Sequence, residues 1–186
     1  MRLFIAINLP DRIRDEIWVS AESMRERRYP IRWVVPEAMH ITLKFLGEVS
    51  PHREEAVKEA LEAATDGVTP VVLNLEGFGA FPDARRAKVL WVGCKPPVQL
   101  RRLYEQVEES MGGLGFAAET RAFHPHVTLA RLSRGAVSTK LKGLPGMLDR
   151  LDFEAEFPVQ SIELMQSKLS PAGATYTVRE TIGLSG

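Results

Sequence analysis

A four-residue pattern occurs twice in this chain, and its repetition is the feature that most constrains the fold. His40-Ile41-Thr42-Leu43 and His126-Val127-Thr128-Leu129 each combine a histidine, a β-branched apolar residue, a threonine and a leucine, and they lie 86 positions apart. The same offset carries the apolar residues 3–6 onto the apolar residues 89–92. Similarity that extends beyond the tetrads at one fixed offset predicts a duplicated fold.

The elements predicted around the tetrads indicate an α+β fold. Strands alternate with few helices, and the last strands are joined by short turns such as Ser170-Pro171-Ala172-Gly173, which favours antiparallel pairing. We therefore expect one domain over residues 1–186, with repeat halves near 1–85 and 86–186. The predicted architecture is bilobal and pseudo-two-fold symmetric, with two antiparallel sheets flanking a central cleft and helices on the outside.

Composition narrows the class of protein and its surroundings. The chain carries 24 Lys and Arg against 24 Asp and Glu, so its net charge does not indicate nucleic-acid binding, although a local basic cleft can still bind a polyanion. The single Cys94 excludes an intramolecular disulfide and favours a reducing compartment. No apolar stretch approaches the roughly 20 residues that cross a bilayer. We expect a cytoplasmic monomer without membrane association.

Strand alternation assigns the polar residues of both tetrads to one face. Residues i and i+2 of a strand point to the same side, so His40 and Thr42 should face a cleft while the residues between them enter the core. His126 and Thr128 should do the same in the second copy. By the same alternation Lys44 should also face the cleft.

Two imidazoles across a cleft suit acid–base chemistry near neutral pH. One can remove a proton from water while the other protonates a leaving oxygen. The threonine hydroxyls can donate hydrogen bonds to the non-bridging oxygens of a phosphate. This pattern predicts cleavage of a phosphodiester with His40, His126, Thr42 and Thr128 as the catalytic set.

Other residues near the tetrads are candidates for substrate binding. Arg131 would suit a phosphate, but alternation turns it away from the cleft unless the strand bulges. Trp33 and Phe45 could stack on a base, although alternation places Phe45 in the core. His124 and His126 resemble a two-histidine metal pair, but no acidic or cysteine cluster with ligand spacing accompanies them, so we expect neither a metal nor another cofactor.

Longer stretches around the tetrads resemble a known family. The opening Arg2-Leu3-Phe4-Ile5-Ala6-Ile7, the segment from Arg32-Trp33-Val34-Val35 into the first tetrad, and His124-Pro125 leading into the second are similar to the 2H phosphoesterases. Within that superfamily the chain is most similar to the RNA 2′,3′-cyclic phosphodiesterases of bacteria and archaea, once called 2′-5′ RNA ligases. The resemblance spans nearly the whole chain, and both tetrads are intact.

The resemblance implies roles that the residues alone leave open. It implies that His40 donates a proton to the leaving oxygen and that His126 accepts one from water, whereas the pseudo-symmetric tetrads by themselves do not distinguish donor from acceptor. RNA ends or cyclic nucleotides would be the substrates, and a terminal 2′,3′-cyclic phosphate would become a 2′-phosphomonoester. Ligation of 2′-5′ RNA ends would be the reverse reaction.

Two other functions are compatible with the same residues. The chain could be a module that binds RNA ends through their phosphate without turnover, although two intact histidines count against that function. It could also hydrolyse a different phosphodiester, either a 2′-5′-linked oligonucleotide or ADP-ribose cyclic phosphate.

Overall fold

A computed structural model describes residues 1–170 and 173–186 of the chain, so Pro171 and Ala172 of the predicted turn lie outside the described residues. The strands of this part of the chain are, in order, Arg2–Asn8 (β1), Ile31–Trp33 (β2), His40–Glu48 (β3), Val71–Phe81 (β4), Val89–Lys95 (β5), His126–Leu132 (β6), Glu154–Val159 (β7), Ser161–Ser170 (β8) and Gly173–Gly183 (β9). The α-helices are Asp11–Ser20 (α1), Glu22–Arg25 (α2), Glu54–Thr65 (α3), Val98–Gly113 (α4) and Leu144–Leu148 (α5).

The two longest helices form where the apolar spacing predicts them. In α4 the buried residues recur every three or four positions, at Leu100, Leu103, Val107 and Met111, which gives one apolar stripe. In the segment 138–148 only the last five residues form an α-helix. Gly143 takes a positive φ of 76°, and α5 begins only after it.

All strands described join one antiparallel sheet in the order β7-β4-β5-β6-β3-β1-β8-β9, and β2 pairs with β6. Among the described residues, strand pairing between the lobe of β3, β1, β8 and β9 and the lobe of β6, β5, β4 and β7 consists of a single residue pair, Ile41 with Val127. The predicted α+β fold with antiparallel strands is confirmed. The two predicted sheets are the two lobes of one sheet.

The halves of the sequence exchange elements between the lobes. Strand β4 comes from the first half but pairs with β5 and β7 of the second, whereas β8 comes from the second half and pairs with β1. Each lobe therefore contains strands from both halves, and the relative position of β3 and β6 is fixed by strand pairing on both sides.

The sheet has two different faces. On the helix face, Ile5, Ile41 and Val127 are fully buried in one core with the apolar stripes of the helices. The opposite, open face carries the tetrad histidines and threonines. A small cluster of Phe4, Ala6, Met165 and Tyr176 covers part of the open face in the first lobe.

Both tetrads end in the same backbone irregularity. In the β1–β3 ladder Ile5 pairs with Lys44 and Ala6 with Thr42, so Leu43 is skipped. In the β5–β6 ladder the pairs jump from Thr128 to Ala130, which skips the equivalent leucine. A skipped residue is a β-bulge, and it shifts the residues that follow to the opposite face.

Candidate active site

The four tetrad side chains meet where the two lobes join. On β3, His40 and Thr42 flank Ile41. On β6, His126 and Thr128 flank Val127. Ile41 and Val127 form the strand pair between the lobes. Because the strands run antiparallel through that pair, His40 lies on the side of Thr128, and Thr42 on the side of His126. Each histidine is thus next to the threonine of the other tetrad.

The same backbone contact holds both imidazoles. Nδ1 of His40 lies 2.8 Å from the carbonyl oxygen of Ala38, and Nδ1 of His126 lies 2.7 Å from that of His124. A carbonyl oxygen only accepts, so Nδ1 carries the hydrogen in both rings. Nε2 of each neutral ring is therefore a free acceptor, and it becomes a donor when the ring is protonated.

Burial makes His40 hard to protonate. Its pKa is lowered to about 4, chiefly because the ring is removed from water. The hydrogen bond to Ala38 raises the pKa, while the positive charges of Arg131, Arg14 and His126 lower it further. His40 is consequently neutral at pH 7 in the protein without substrate.

The pKa of His126 is shifted in the same direction. Burial again is the largest cause of the lowering, the hydrogen bond to His124 opposes it, and the charges of Arg131 and His124 add to it. Arg131 therefore acts on both imidazoles, which places its charge close to the point where the lobes meet.

Aromatic rings cover both histidines and account for their burial. The ring centroids of Phe4 and Tyr176 lie 5.0 and 5.1 Å from that of His40. The Phe81 ring lies 4.9 Å from His126, nearly perpendicular to it at 81°. These aromatic side chains shield the imidazoles from water and restrict their rotation.

The β-bulges correct two predictions made from strand alternation. The prediction that Lys44 faces the cleft is wrong, because the bulge turns it to the helix face, where it is only 4% exposed and its Nζ donates to Glu108 Oε2 at 2.7 Å. The prediction that Phe45 enters the core is wrong for the same reason. Phe45 lies on the open face, 62% exposed, with its ring 6.0 Å from that of Phe4.

The two remaining candidates, Arg131 and Trp33, lie on opposite faces of the sheet. The bulge that would be needed to turn Arg131 toward the cleft is present, and the side chain is exposed on the open face. Trp33 pairs with Ala130 and packs on the helix face, its ring 6.1 Å from that of Trp18. The structure therefore brings Arg131 to the tetrads but leaves Trp33 in the core.

A cavity of about 250 Å³ adjoins His126 on the open face. Gly93, which pairs with His126, forms part of its wall together with Phe81, Trp91 and His124. A side chain at Gly93 would approach the carbonyl oxygen of Glu76 to 2.8 Å, closer than packed atoms tolerate. A side chain at position 93 therefore does not fit beside β4 without a shift of the backbone.

Sequence reasoning missed the aromatic cover and two arginines. Phe4, Tyr176 and Phe81 lie far from the tetrads in the sequence, and only the strand order brings them together. Arg14 of α1 lowers the pKa of His40, and Arg32 pairs directly with Arg131. Only the alternation of β1 could have indicated part of this cover, because it assigns Phe4 to the face opposite Leu3 and Ile5.

Neither a metal cluster nor a membrane segment is found in the described part of the chain. Residues 1–170 and 173–186 contain no group of three or more His, Cys, Asp or Glu side chains arranged to hold an ion. Among the same residues, no helix is both long and apolar enough to span a bilayer.

Known proteins share both the sequence and the fold. The family model of the 2′-5′ RNA ligase superfamily matches residues 13–170. A protein of Methanocaldococcus jannaschii named RNA 2′,3′-cyclic phosphodiesterase is 35% identical over 96% of this chain and 98% of its own length. The Escherichia coli protein of the same name is 31% identical over 95% of this chain and 92% of its own.

Solved structures agree with this assignment. The crystal structure of TT0787 from Thermus thermophilus has a TM-score of 0.83 and 28% identity, covering 99% of this chain and 98% of that one. E. coli LigT in complex with 3′-AMP has a TM-score of 0.75 and 27% identity, covering 100% of this chain and 98% of that one. The resemblance indicated by the tetrads is confirmed, and the chain belongs to the 2′-5′ RNA ligase superfamily.

Proposed function

We propose that this protein is an RNA 2′,3′-cyclic phosphodiesterase that uses two histidines and no metal. The observation that carries the proposal is the pair of imidazoles on the open face, each with Nδ1–H bonded to a backbone carbonyl and Nε2 free. Relatives that carry this activity in their names match almost the full length of the chain. The complexes of E. coli LigT with 3′-AMP and NADP⁺ support a nucleotide substrate.

The proposed hydrolysis needs one proton acceptor and one proton donor. His126 Nε2 takes a proton from water as the water oxygen attacks phosphorus. The bond from phosphorus to O3′ breaks, and protonated His40 gives its Nε2 proton to that oxygen, which leaves a 2′-phosphomonoester and a 3′-hydroxyl. If a 5′-hydroxyl of a second strand replaces water, the same transfer forms a 2′-5′ linkage.

The donor role places a requirement on the substrate. With a pKa of about 4, His40 is protonated in about one molecule in a thousand at pH 7. The negative charge of a bound phosphate favours the imidazolium and raises its pKa. Substrate binding and protonation of His40 are therefore coupled in this mechanism.

Neighbouring groups would bind the phosphate and the base. Thr42 and Thr128 donate their hydroxyl hydrogens to the two non-bridging oxygens, and Arg131 balances their charge. Phe45 is the exposed aromatic side chain on the open face and would stack on the terminal base, for which such stacking contributes ~1–3 kcal/mol. Trp33 and Lys44 have no part in this assignment.

Product analysis tests the proposal directly. Cyclic-phosphate-terminated RNAs, 2′,3′-cyclic mononucleotides, 2′-5′-linked oligonucleotides and ADP-ribose cyclic phosphate are incubated with the protein, each with and without EDTA. We expect 2′-phosphomonoesters from the first two substrates and equal rates in EDTA. Turnover of only the last two would establish a different phosphodiester as substrate, and binding without turnover would establish an RNA-end binding module.

Variants of each histidine test the mechanism. His40→Ala and His126→Ala should each lower kcat by at least ~10²-fold, the range expected for loss of a general acid or base, with an unchanged unfolding midpoint. Substantial activity in either variant would contradict the two-histidine mechanism.

Both histidines and both threonines come from one chain, so we also propose that the protein acts as a monomer. We propose the cytoplasm as its location, because its proposed substrates are RNA ends.

A further inference from the structure

Two arginines lie directly opposite each other on the open face. Arg32 of β2 pairs in register with Arg131 of β6, and both side chains are exposed. Residues in register on antiparallel strands project to the same face, with Cα atoms about 4.5–5.5 Å apart. Their neighbours confirm the face, because Trp33 and Ala130, the next pair along, lie in the core on the helix side.

This juxtaposition of charge is unfavourable unless an anion binds. Like charges directly opposite each other destabilise a strand pair. Within residues 1–170 and 173–186, neither guanidinium forms a salt bridge, whereas Arg12, Arg86, Arg121 and Arg179 each have a carboxylate partner. Arg32 and Arg131 therefore present two unneutralised planar donors that fit a phosphate group.

Arg32 and Arg131 lie beyond one end of the tetrads, and Arg32 is the farther of the two from them. Along β6 the open face carries His126, Thr128 and, past the bulge, Arg131, in that order. Arg32 is one strand further, beside Arg131 and away from β5. A phosphate held between the tetrads would lie near Arg131, and a chain that extends from that phosphate along β6, on the side away from β5, would meet Arg32 next.

We propose that Arg32 forms a second phosphate site beside Arg131, which binds the internucleotide phosphodiester that precedes the terminal nucleotide of the substrate, while Arg131 lies between this phosphate and the reacting one. The inference rests on the proposed function for the identity of the terminal group. It adds that the protein prefers an oligonucleotide end to a cyclic mononucleotide, because only the oligonucleotide supplies a phosphate for Arg32.

The test compares two substrates in two variants. Arg32→Gln is assayed on a 2′,3′-cyclic mononucleotide, which lacks the second phosphate, and on a trinucleotide with a 2′,3′-cyclic end. We expect kcat/KM for the trinucleotide to fall about tenfold, as for loss of one charged phosphate contact, and kcat/KM for the mononucleotide to change less than twofold. Arg102→Gln, an exposed arginine on α4 at the helix face, is the matched control and should leave both substrates unaffected.

A binding measurement keeps the inference testable apart from turnover. Fluorescence anisotropy with a labelled trinucleotide ending in a 3′-phosphate reports affinity at several salt concentrations. Arg32→Gln should reduce the slope of log affinity against log salt by about 0.7, the value for one phosphate contact on a single strand. An equal loss on both cyclic substrates, or an unchanged slope together with an unchanged trinucleotide rate, would overturn the second phosphate site. Failure of the wild-type protein to hydrolyse either substrate would instead refute the proposed function.

Discussion

Replacing Lys44 should destabilise the protein far more than replacing an exposed lysine. Its Nζ lies 2.7 Å from Glu108 Oε2 and 3.0 Å from the carbonyl oxygen of Ala117, and the two charged side chains are only 3% and 15% exposed. Lys44→Met leaves the carboxylate of Glu108 buried without its cation, and the backbone N–H of Glu119 at 3.2 Å remains as a donor to it. Removing one member of a buried ion pair costs ~3–5 kcal/mol.

That cost converts into a measurable shift. For a chain of this length each kcal/mol lowers Tm by ~2–4 °C, so Lys44→Met should lower Tm by roughly 6–20 °C. Urea unfolding should show a lower midpoint at an unchanged slope. Lys58→Met is the matched control, because Lys58 contacts Glu180 at 3.1 Å in a more exposed ion pair, and its loss should lower Tm much less than Lys44→Met does.

A double variant separates the buried charge from lost packing. Lys44→Met combined with Glu108→Gln removes both charges and keeps a carbonyl acceptor for the N–H of Glu119, so it should recover at least half of the lost stability. The reasoning is refuted if Lys44→Met is no more destabilising than Lys58→Met. It is also refuted if the double variant is less stable than Lys44→Met alone.

Three further predictions concern the open face. In the proposed mechanism the active form has one neutral and one protonated imidazole. Burial lowers the pKa of both His40 and His126 below 6.5, so the bell-shaped pH profile of kcat/KM should peak below pH 6.5, and a maximum at pH 7 or above would contradict these shifts. Tyr176→Ala should raise the pKa of His40 toward 6.5 in an NMR titration while Tyr176→Phe does not, and an unmoved titration would show that Tyr176 does not cause the burial. Gly79→Ala places a methyl group inside the Trp91 ring and should cost ~1–3 kcal/mol by urea unfolding, whereas an unchanged midpoint would mean that Trp91 moves freely.

Strand alternation predicted correctly which tetrad side chains are buried, through all four residues of each tetrad, and failed after them. The histidines and threonines share the open face as predicted, because the ladder is regular between them. From Lys44 onward the prediction inverted, since alternation assumes an unbroken ladder and the bulge at Leu43 breaks it. A bulge depends on the register with the neighbouring strand, which is a non-local property that the tetrad sequence does not contain.

The strand order explains the other gap in the prediction. Phe4, Phe81 and Tyr176 lie on β1, β4 and β9. The exchange of β4 and β8 between the lobes decides which of these aromatic rings meets which histidine. The duplication predicted that two similar lobes exist. It did not predict which strands each lobe contains, because pairing partners depend on the packing of the whole sheet.

The difference between the two histidines arises outside the tetrads. Within them the chemistry is the same, with one Nδ1–H bonded to a backbone carbonyl two residues earlier and one threonine beside each imidazole. After the bulge the copies diverge, because Phe45 follows the first tetrad on the open face where Arg131 follows the second. A cation at one end of the site and an exposed aromatic ring at the other give a phosphate and a base different places to bind. In the proposed function the substrate therefore enters a nearly symmetric pair of imidazoles in one orientation, and that orientation decides which ring meets the leaving oxygen.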